Sequence, residues 1–564
     1  MDAAPRPTRL HRLIGRPVFT VVGPAAVTVV AFIGGIAFGP LAGTEGLRAM
    51  VGHQMLQQGH WLVPRLYGAI YMRKPPLHPW TLAVTEAVTG TAGQWVWRLP
   101  SVLAAAVTAA WLAWCARRWF GSPAGLVAGF GCLALVPLWA QTTSADIDAI
   151  NTLAAVVSAT ALVELGFGPT RRRWAWSLVL GAAFAAMWLA KGPAGMPAVL
   201  GVLIGSTLAT RRGRWLLRPG VWLALLAGLA AFAAWYLPAT ARAVEIGHAV
   251  SPGQTSAAAE LLHNLTPSAR RLLEALLTPL ALAAYSFPVG LAAWVALWPG
   301  TRAAFDDDQQ RLIHALVGGF IGGLLICAAV MITDPRYGYM VLPLAAPLAG
   351  AVAVAWRRGT IDARGQTRLR QLLTITAVIL AGLAIAFAGV ALNADTHTPD
   401  WTVGLRAWAI GIIAVAAVGF GLTLRAWIRQ RIARGVCGLA ALIVLAAMGF
   451  SLMRINERHD RSWRDVGLAM RDHLNADGAS DVVNPKRPAI MAGEVVRNHP
   501  EAFWYGRVDA QRHPAGAAGL IASGEPGWLV LDPGEVKNHL AELADRIAQR
   551  HPLPRHCLLL RLRQ

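Results

Sequence analysis

Four basic residues stand at the edges of apolar stretches, where hydrophobicity alone gives them no task. Lys74 precedes Pro75-Pro76, Lys191 ends an apolar run and is followed by Gly192-Pro193, Arg270 follows Asn264 in a polar stretch, and Arg336 lies in Pro335-Arg336-Tyr337. Fixed cations of this kind stabilise a phosphate that departs as an anion, and Tyr337 adds a hydroxyl donor beside Arg336. The carboxylates that suit accepting or orienting a nucleophile's proton are Glu45 and Asp148. These residue types allow a group to be moved from a phosphate to a nucleophile.

Each has a plainer reading. Lys74 can snorkel to lipid head groups, although the two prolines after it restrict the backbone that carries it. Arg336 and Tyr337 suit an interfacial anchor pair. Asp146 and Asp148 are acids at a helix start, favourable there on the helix dipole alone, and as Asp-x-Asp they are also candidates for a divalent metal. Glu45 shares its loop with His53, His60 and His78, but these lack the short spacing of metal ligands. The expectation is therefore no cofactor, with a divalent metal as the minor alternative.

The elements that must position these residues are membrane helices. Of 564 residues, 55% are hydrophobic and 14% charged, and mean hydropathy is +0.46. That much apolar surface needs the bilayer as its solvent. Spanning-length apolar windows recur at 18–39, 99–115, 123–141, 149–167, 175–190, 193–209, 221–238, 277–298, 312–332, 339–356, 371–393, 407–424 and 435–453, which predicts about thirteen helices. The first window follows Arg6, Arg9, Arg12 and Arg16, exceeds a signal-peptide core and lacks a clear cleavage site, so it reads as a retained span.

The net charge of +21 falls in short arginine clusters between spans, so it reads as topology rather than as a nucleic-acid surface. Arg117-Arg118, Arg171–Arg173, Arg211–Arg218, Arg357–Arg370 and Arg425–Arg434 mark alternate loops as cytoplasmic, with the N-terminus. The first loop, about 40–98, then faces the periplasm, as do the turn at Ser144–Asp148, Lys191–Pro193, the 239–276 loop and Asp334–Tyr339. Lys191 closes its helix on the side that this bias leaves poor in cations, so topology alone does not account for it.

From Arg454 onward the composition is that of a soluble domain. A helix is predicted around Ser462–Leu474, strands at Ala502–Tyr505, Trp528–Leu531 and Leu558–Leu560, and a helix around Glu535–Gln549. The domains read as 1–453 in the membrane and 454–564 as a periplasmic α/β domain. Five scattered cysteines indicate neither a disulfide framework nor a zinc site. P-loop, dinucleotide-binding, zinc-protease and nucleophile-elbow patterns are absent from the sequence.

The first loop runs Thr44-Glu45-Gly46-Leu47-Arg48, then Met55-Leu56-Gln57-Gln58-Gly59-His60-Trp61-Leu62-Val63-Pro64, then Arg73-Lys74-Pro75-Pro76-Leu77-His78-Pro79-Trp80. In this order it resembles the lipid-linked-sugar transferases of the C-type glycosyltransferase fold, especially the lipid A aminoarabinose transferases and the bacterial enzymes similar to protein O-mannosyltransferases. Asp148 opening a span, Lys191-Gly192-Pro193, and Pro335-Arg336-Tyr337 before Pro343 and Pro347 are further stations of that pattern.

The resemblance implies a polytopic α-helical GT-C fold in the bacterial inner membrane, a polyprenyl-phosphate sugar donor, a lipid, glycan or protein acceptor, and an inverting transfer. By the same likeness, Lys74, Lys191, Arg336, Tyr337 and Arg270 hold the donor phosphate, and Glu45 and Asp148 form the acidic half. The chain departs from the pattern where an acidic pair appears as Thr44-Glu45, where Leu47-Arg48 replaces Arg-Tyr, and where His60 replaces an aspartate. If the first carboxylate of the pair is the essential one, the first departure either disables catalysis or transfers the acid's task to Glu45. Two rival readings are a flippase for lipid-linked sugars, which would be expected to show paired broken helices, and a silent scaffold for envelope assembly.

Overall fold

The structure is a computed structural model and describes residues 17–169, 171–246, 269–330, 335–392, 403–429, 431–476, 489–492, 499, 501–506, 510–512, 520–521, 528–539 and 547–562. The N-terminal arginines, Asn264 and Asp334 lie outside these residues. The chain divides into two compact units, one of residues 1–37, 98–237 and 251–454, the other of 38–97, 238–250 and 455–564.

The first unit is a bundle of apolar helices. Among the described residues ten helices are long and apolar enough to cross a membrane, from Val18–Ile36 to Arg434–Ile455. Their outward faces carry large apolar side chains such as Leu178, Leu223, Leu226, Leu237 and Val418, each more than half exposed, the pattern of a surface solvated by lipid. The chain is a multi-pass membrane protein.

The count of ten differs from the expected thirteen for two physical reasons. The 123–141 window is broken into Ser122–Leu133 and Pro137–Thr142, and the 277–298 window into Ala269–Tyr285 and Leu291–Val295. Proline cannot continue a helix's hydrogen bonding, and Pro137 starts a new segment. The 175–190 and 193–209 windows run together as Arg173–Thr210. Within that stretch the backbone nevertheless turns sharply, because Lys191 has φ −142° and Gly192 φ 65°, ψ −137°.

Beyond this break the chain winds through a short 3-10 turn into a π-helical segment, Gly201–Ser206. Gly201 and Gly205 lie on Gly318, Gly322 and Gly323 of the Asp307–Ala329 helix so closely that a β-carbon at Gly201 would stand 2.5 Å from the Gly323 nitrogen. Small residues permit this backbone approach in a bilayer. Ser206 Oγ donates to the Ala315 carbonyl at 2.6 Å and fixes the register.

The second unit begins with the Thr44–Gln58 helix, which Gly59 ends in the left-handed conformation (φ 71°). A two-stranded hairpin pairs Arg65 with Ile70 and Leu66 with Ala69. Its turn, Tyr67-Gly68, has positive φ at both positions, as a type I′ turn requires. The C-terminal residues add a five-stranded mixed sheet in the order 510–512, 489–492, 528–531, 558–562, 547–552. Leu529, Leu531, Leu558 and Leu560 form its core with Leu520.

Three expectations meet the structure here. The strands at Trp528–Leu531 and Leu558–Leu562 and the helix Arg464–Ala476 are present. Residues 502–505, expected as a strand, lie in the helix Glu501–Gly506. A short run of aromatics cannot be assigned by periodicity, and here Phe503 and Trp504 pack on Tyr67 and Trp97 of the first loop. Of the expected 535–549 helix, residues 535–539 lie in the helix Pro533–His539, residues 540–546 lie outside the described residues, and residues 547–549 lie in the edge strand Ile547–Pro552, in which every second residue is exposed.

Candidate active site

In the membrane unit, three separated segments bring their chemistry to one corner. Asp148 opens the Asp148–Phe167 helix, Lys191 ends Arg173–Lys191, and Arg336-Tyr337 open the 3-10 segment Pro335–Ala345, in which Pro343 disfavours a regular α-helix. The Lys191 ammonium and the Asp148 carboxylate form a buried ion pair, with the two residues 9% and 7% exposed. Lys191 Nζ also stands 4.5 Å from the centre of the Tyr337 ring, a cation–π arrangement, and the exposed Arg336 guanidinium lies 5.8 Å from the same ring.

Neighbouring bonds hold this corner in place. Thr152 Oγ1 donates to Gln141 Oε1 at 3.1 Å, and Asn151 Nδ2 reaches Met340 Sδ at 3.6 Å, fixing the start of the Asp148 helix against its neighbours. Arg454, near the end of the last span, donates to Ser144 Oγ at 3.0 Å in the turn that leads to Asp148. Arg454 escaped the sequence reading, yet like Lys191 it is a cation at the end of an apolar run.

The first loop holds Glu45 and Lys74. Glu45 is 2% exposed, and its Oε2 accepts from the Ala42 backbone N–H at 3.1 Å, an arrangement that caps its own helix. Lys74 is half-buried, in a segment anchored on both sides. Upstream, Tyr71 N–H donates to the Pro64 carbonyl at 2.7 Å and the Tyr71 hydroxyl pairs with the buried Arg48. Downstream, Pro75-Pro76 lead into the helix Leu77–Thr89.

The histidines serve separate purposes. His53 Nδ1 lies 2.7 Å from Glu86 Oε1, while Trp97 Nε1 donates to Glu86 Oε2 at 2.9 Å, locking the two loop helices together. Burial and the Arg65 charge hold the His60 imidazole below its usual value. His78 is fully buried. Among the described residues no three of His, Cys, Asp and Glu gather as metal ligands. The side chain of Arg270 lies outside the described residues, and its backbone is in the helix Ala269–Tyr285.

Comparison with known proteins follows the same lines. The profile of the dolichyl-phosphate-mannose-protein mannosyltransferase family matches residues 73–237, a span containing Lys74, Asp148 and Lys191. The chain is 28% identical over 208 residues to an undecaprenyl phosphate-alpha-4-amino-4-deoxy-L-arabinose arabinosyl transferase of Aeromonas salmonicida, covering 36% of this chain and 37% of that one. It is 26% identical over 360 residues to the protein of the same name from Pectobacterium carotovorum, covering 61% and 60%. The chain thus aligns with less than two thirds of either relative's length. The crystal structure of ArnT from Cupriavidus metallidurans bound to undecaprenyl phosphate superposes with a TM-score of 0.65 at 20% identity, over 96% of this chain and 98% of that one. The protein therefore has the GT-C fold and resembles the lipid-linked-sugar glycosyltransferases built on it.

Proposed function

We propose that the protein is an inverting glycosyltransferase that takes a sugar from a polyprenyl-phosphate carrier and passes it to a lipid A-like acceptor at the periplasmic face of a bacterial inner membrane. The convergence of Asp148, Lys191, Tyr337 and Arg336 from three separated segments carries this reading. The relatives' names, which specify an undecaprenyl phosphate sugar, support the donor class. So does the lipid bound in the solved neighbour.

In this reading Lys191 holds the donor phosphate, and Asp148 keeps its ammonium directed until the phosphate arrives. Arg336 and Tyr337 supply further donors, and Lys74 and Arg270 add positive charge. The acceptor oxygen bonds to the anomeric carbon as the carbon–oxygen bond to phosphate breaks, with the bonding pair leaving on the phosphate and the acceptor's proton passing to Glu45. Attack from the face opposite the phosphate inverts the anomeric carbon. Neutralising the departing charge and holding the reactants in register account for most of the acceleration. The arginine-rich loops support a cytoplasmic N-terminus and a periplasmic C-terminal segment.

The test is transfer from a polyprenyl-phosphate sugar by folded Lys191→Ala and Lys74→Ala proteins. Loss of one stabilising cation is expected to lower kcat by about 100- to 1,000-fold. Wild-type turnover in both would remove the phosphate-clamp assignment.

A further inference from the structure

Three consecutive aromatic residues, Phe503-Trp504-Tyr505, occupy the short helix Glu501–Gly506 of the C-terminal domain. Successive side chains on a helix point in different directions, and here each meets a different part of the first loop. Phe503, fully buried, stands edge-on to Tyr67 in the hairpin turn at 5.5 Å, and Trp504 stands edge-on to Trp97 at 5.2 Å. The Tyr505 hydroxyl oxygen accepts from the Leu41 backbone N–H at 2.7 Å and from Gln94 Nε2 at 3.2 Å. Leu41 lies at the entry of the loop and Gln94 at its exit, where the next long helix begins, so one oxygen holds both ends. On the same helix, Glu501 lies so close to Gly46 that a β-carbon there would overlap its carboxylate.

The entry leads directly to Glu45. Ala42 N–H donates to Glu45 Oε2 at 3.1 Å, and Glu45 N–H donates back to the Ala42 carbonyl at 3.2 Å. Gly43, with φ 59°, makes the tight turn between them. Residues 41 and 42 are thus gripped by Tyr505 on one side and by Glu45 on the other. Leu41 is fully buried, so its N–H depends on the protein for an acceptor. Packing by itself would be met by phenylalanine at 505, since the ring alone meets Trp504 at 4.8 Å and lies 5.7 Å from the Arg464 guanidinium.

We propose that Tyr505 is a positioning residue for the transfer: its hydroxyl ties the entry of the first loop to its exit and thereby fixes the direction of the Glu45 carboxylate. The inference rests on the reading of Glu45 as the proton acceptor. It makes the C-terminal domain part of the scaffold that holds the acidic half of the site.

The experiment measures kcat and donor KM for the full-length protein with a polyprenyl-phosphate sugar and a lipid A-like acceptor, in wild type, Tyr505→Phe, Glu45→Gln and the double variant. Tyr505→Phe keeps the ring and removes the acceptor of the Leu41 N–H. It is expected to lower kcat about 10- to 100-fold by misdirecting Glu45, with donor KM unchanged, because the cations assigned to the phosphate are carried by other segments. In the Glu45→Gln background the same change is expected to cost nothing further, since a residue that acts through Glu45 has no effect once Glu45 is gone. Should Tyr505→Phe not fold, Gln94→Leu takes its place in the cycle, with a smaller loss of kcat expected. An unchanged kcat in the single variant, or an equal loss in both backgrounds, overturns the role of Tyr505 alone. Wild-type turnover in Glu45→Gln overturns the reading of Glu45 and this inference with it.

Discussion

A lysine and an aspartate both withdrawn from solvent at a membrane boundary hold each other in place, and removing one leaves the other charged and alone. Lys191→Met or Asp148→Asn is therefore expected to cost about 3–5 kcal/mol, while the double variant costs less than the sum and recovers no transfer. Thermal unfolding in detergent, read beside turnover, separates the two effects. The sequence could mark Lys191 because a cation there opposes the positive-inside bias, but it could not show that Asp148 is its partner 43 positions away. Glu501, fully buried against Gly46, was wholly hidden from sequence, since nothing in His499-Pro500-Glu501 announces that Gly46 will pack on it. Burial raises the proton affinity of its carboxylate, which makes a stability prediction. A carboxylate raised on folding contributes stability below its unfolded value, and that stability is lost as pH rises through the folded one. Glu501→Gln is thus expected to melt higher than wild type at pH 8 and to show no such gain at pH 4, in paired melting curves.

Among the elements, the break after the Arg173–Lys191 helix does the most for the site. Gly192 adopts φ 65°, ψ −137°, a region open almost solely to glycine, and a β-carbon there meets nothing within 4 Å. Strain alone then governs Gly192→Ala, expected to cost about 1–3 kcal/mol and to lower kcat by displacing Lys191, as melting and turnover together would register. An unchanged melting temperature would mean that the backbone turns there without strain. Among the described residues, apolar runs located each helix long enough to cross a membrane, because burial in lipid is written into composition. They could not say which runs stay whole, since that depends on prolines and close glycine contacts such as Gly201 on Gly323. In the C-terminal domain, Trp528–Leu531 was legible because four buried residues in a row leave little alternative, whereas the aromatics of 502–505 served strand and helix equally.

For the molecule as a whole, orientation and chemistry are separate questions. If the C-terminal domain is periplasmic, a cysteine at the exposed Arg550, in a chain with Cys437 replaced by serine, is labelled by a membrane-impermeant maleimide in cells with a permeabilised outer membrane. Labelling solely after the inner membrane is broken would reverse the topology. The fold could be inferred from the first loop, from Lys191-Gly192-Pro193 and from Pro335-Arg336-Tyr337, whose order along the chain resembles that expected of GT-C transferases. The substrates could not, because pocket shape is set by side chains from many segments. The measurement that bears most directly on the account is consumption of a polyprenyl-phosphate sugar by the purified protein with a lipid A-like acceptor, followed by mass spectrometry. The account predicts one free polyprenyl phosphate for each glycosylated acceptor, and none with Lys191→Ala. A donor that is bound or moved across vesicles but never cleaved would contradict it and make the protein a transporter.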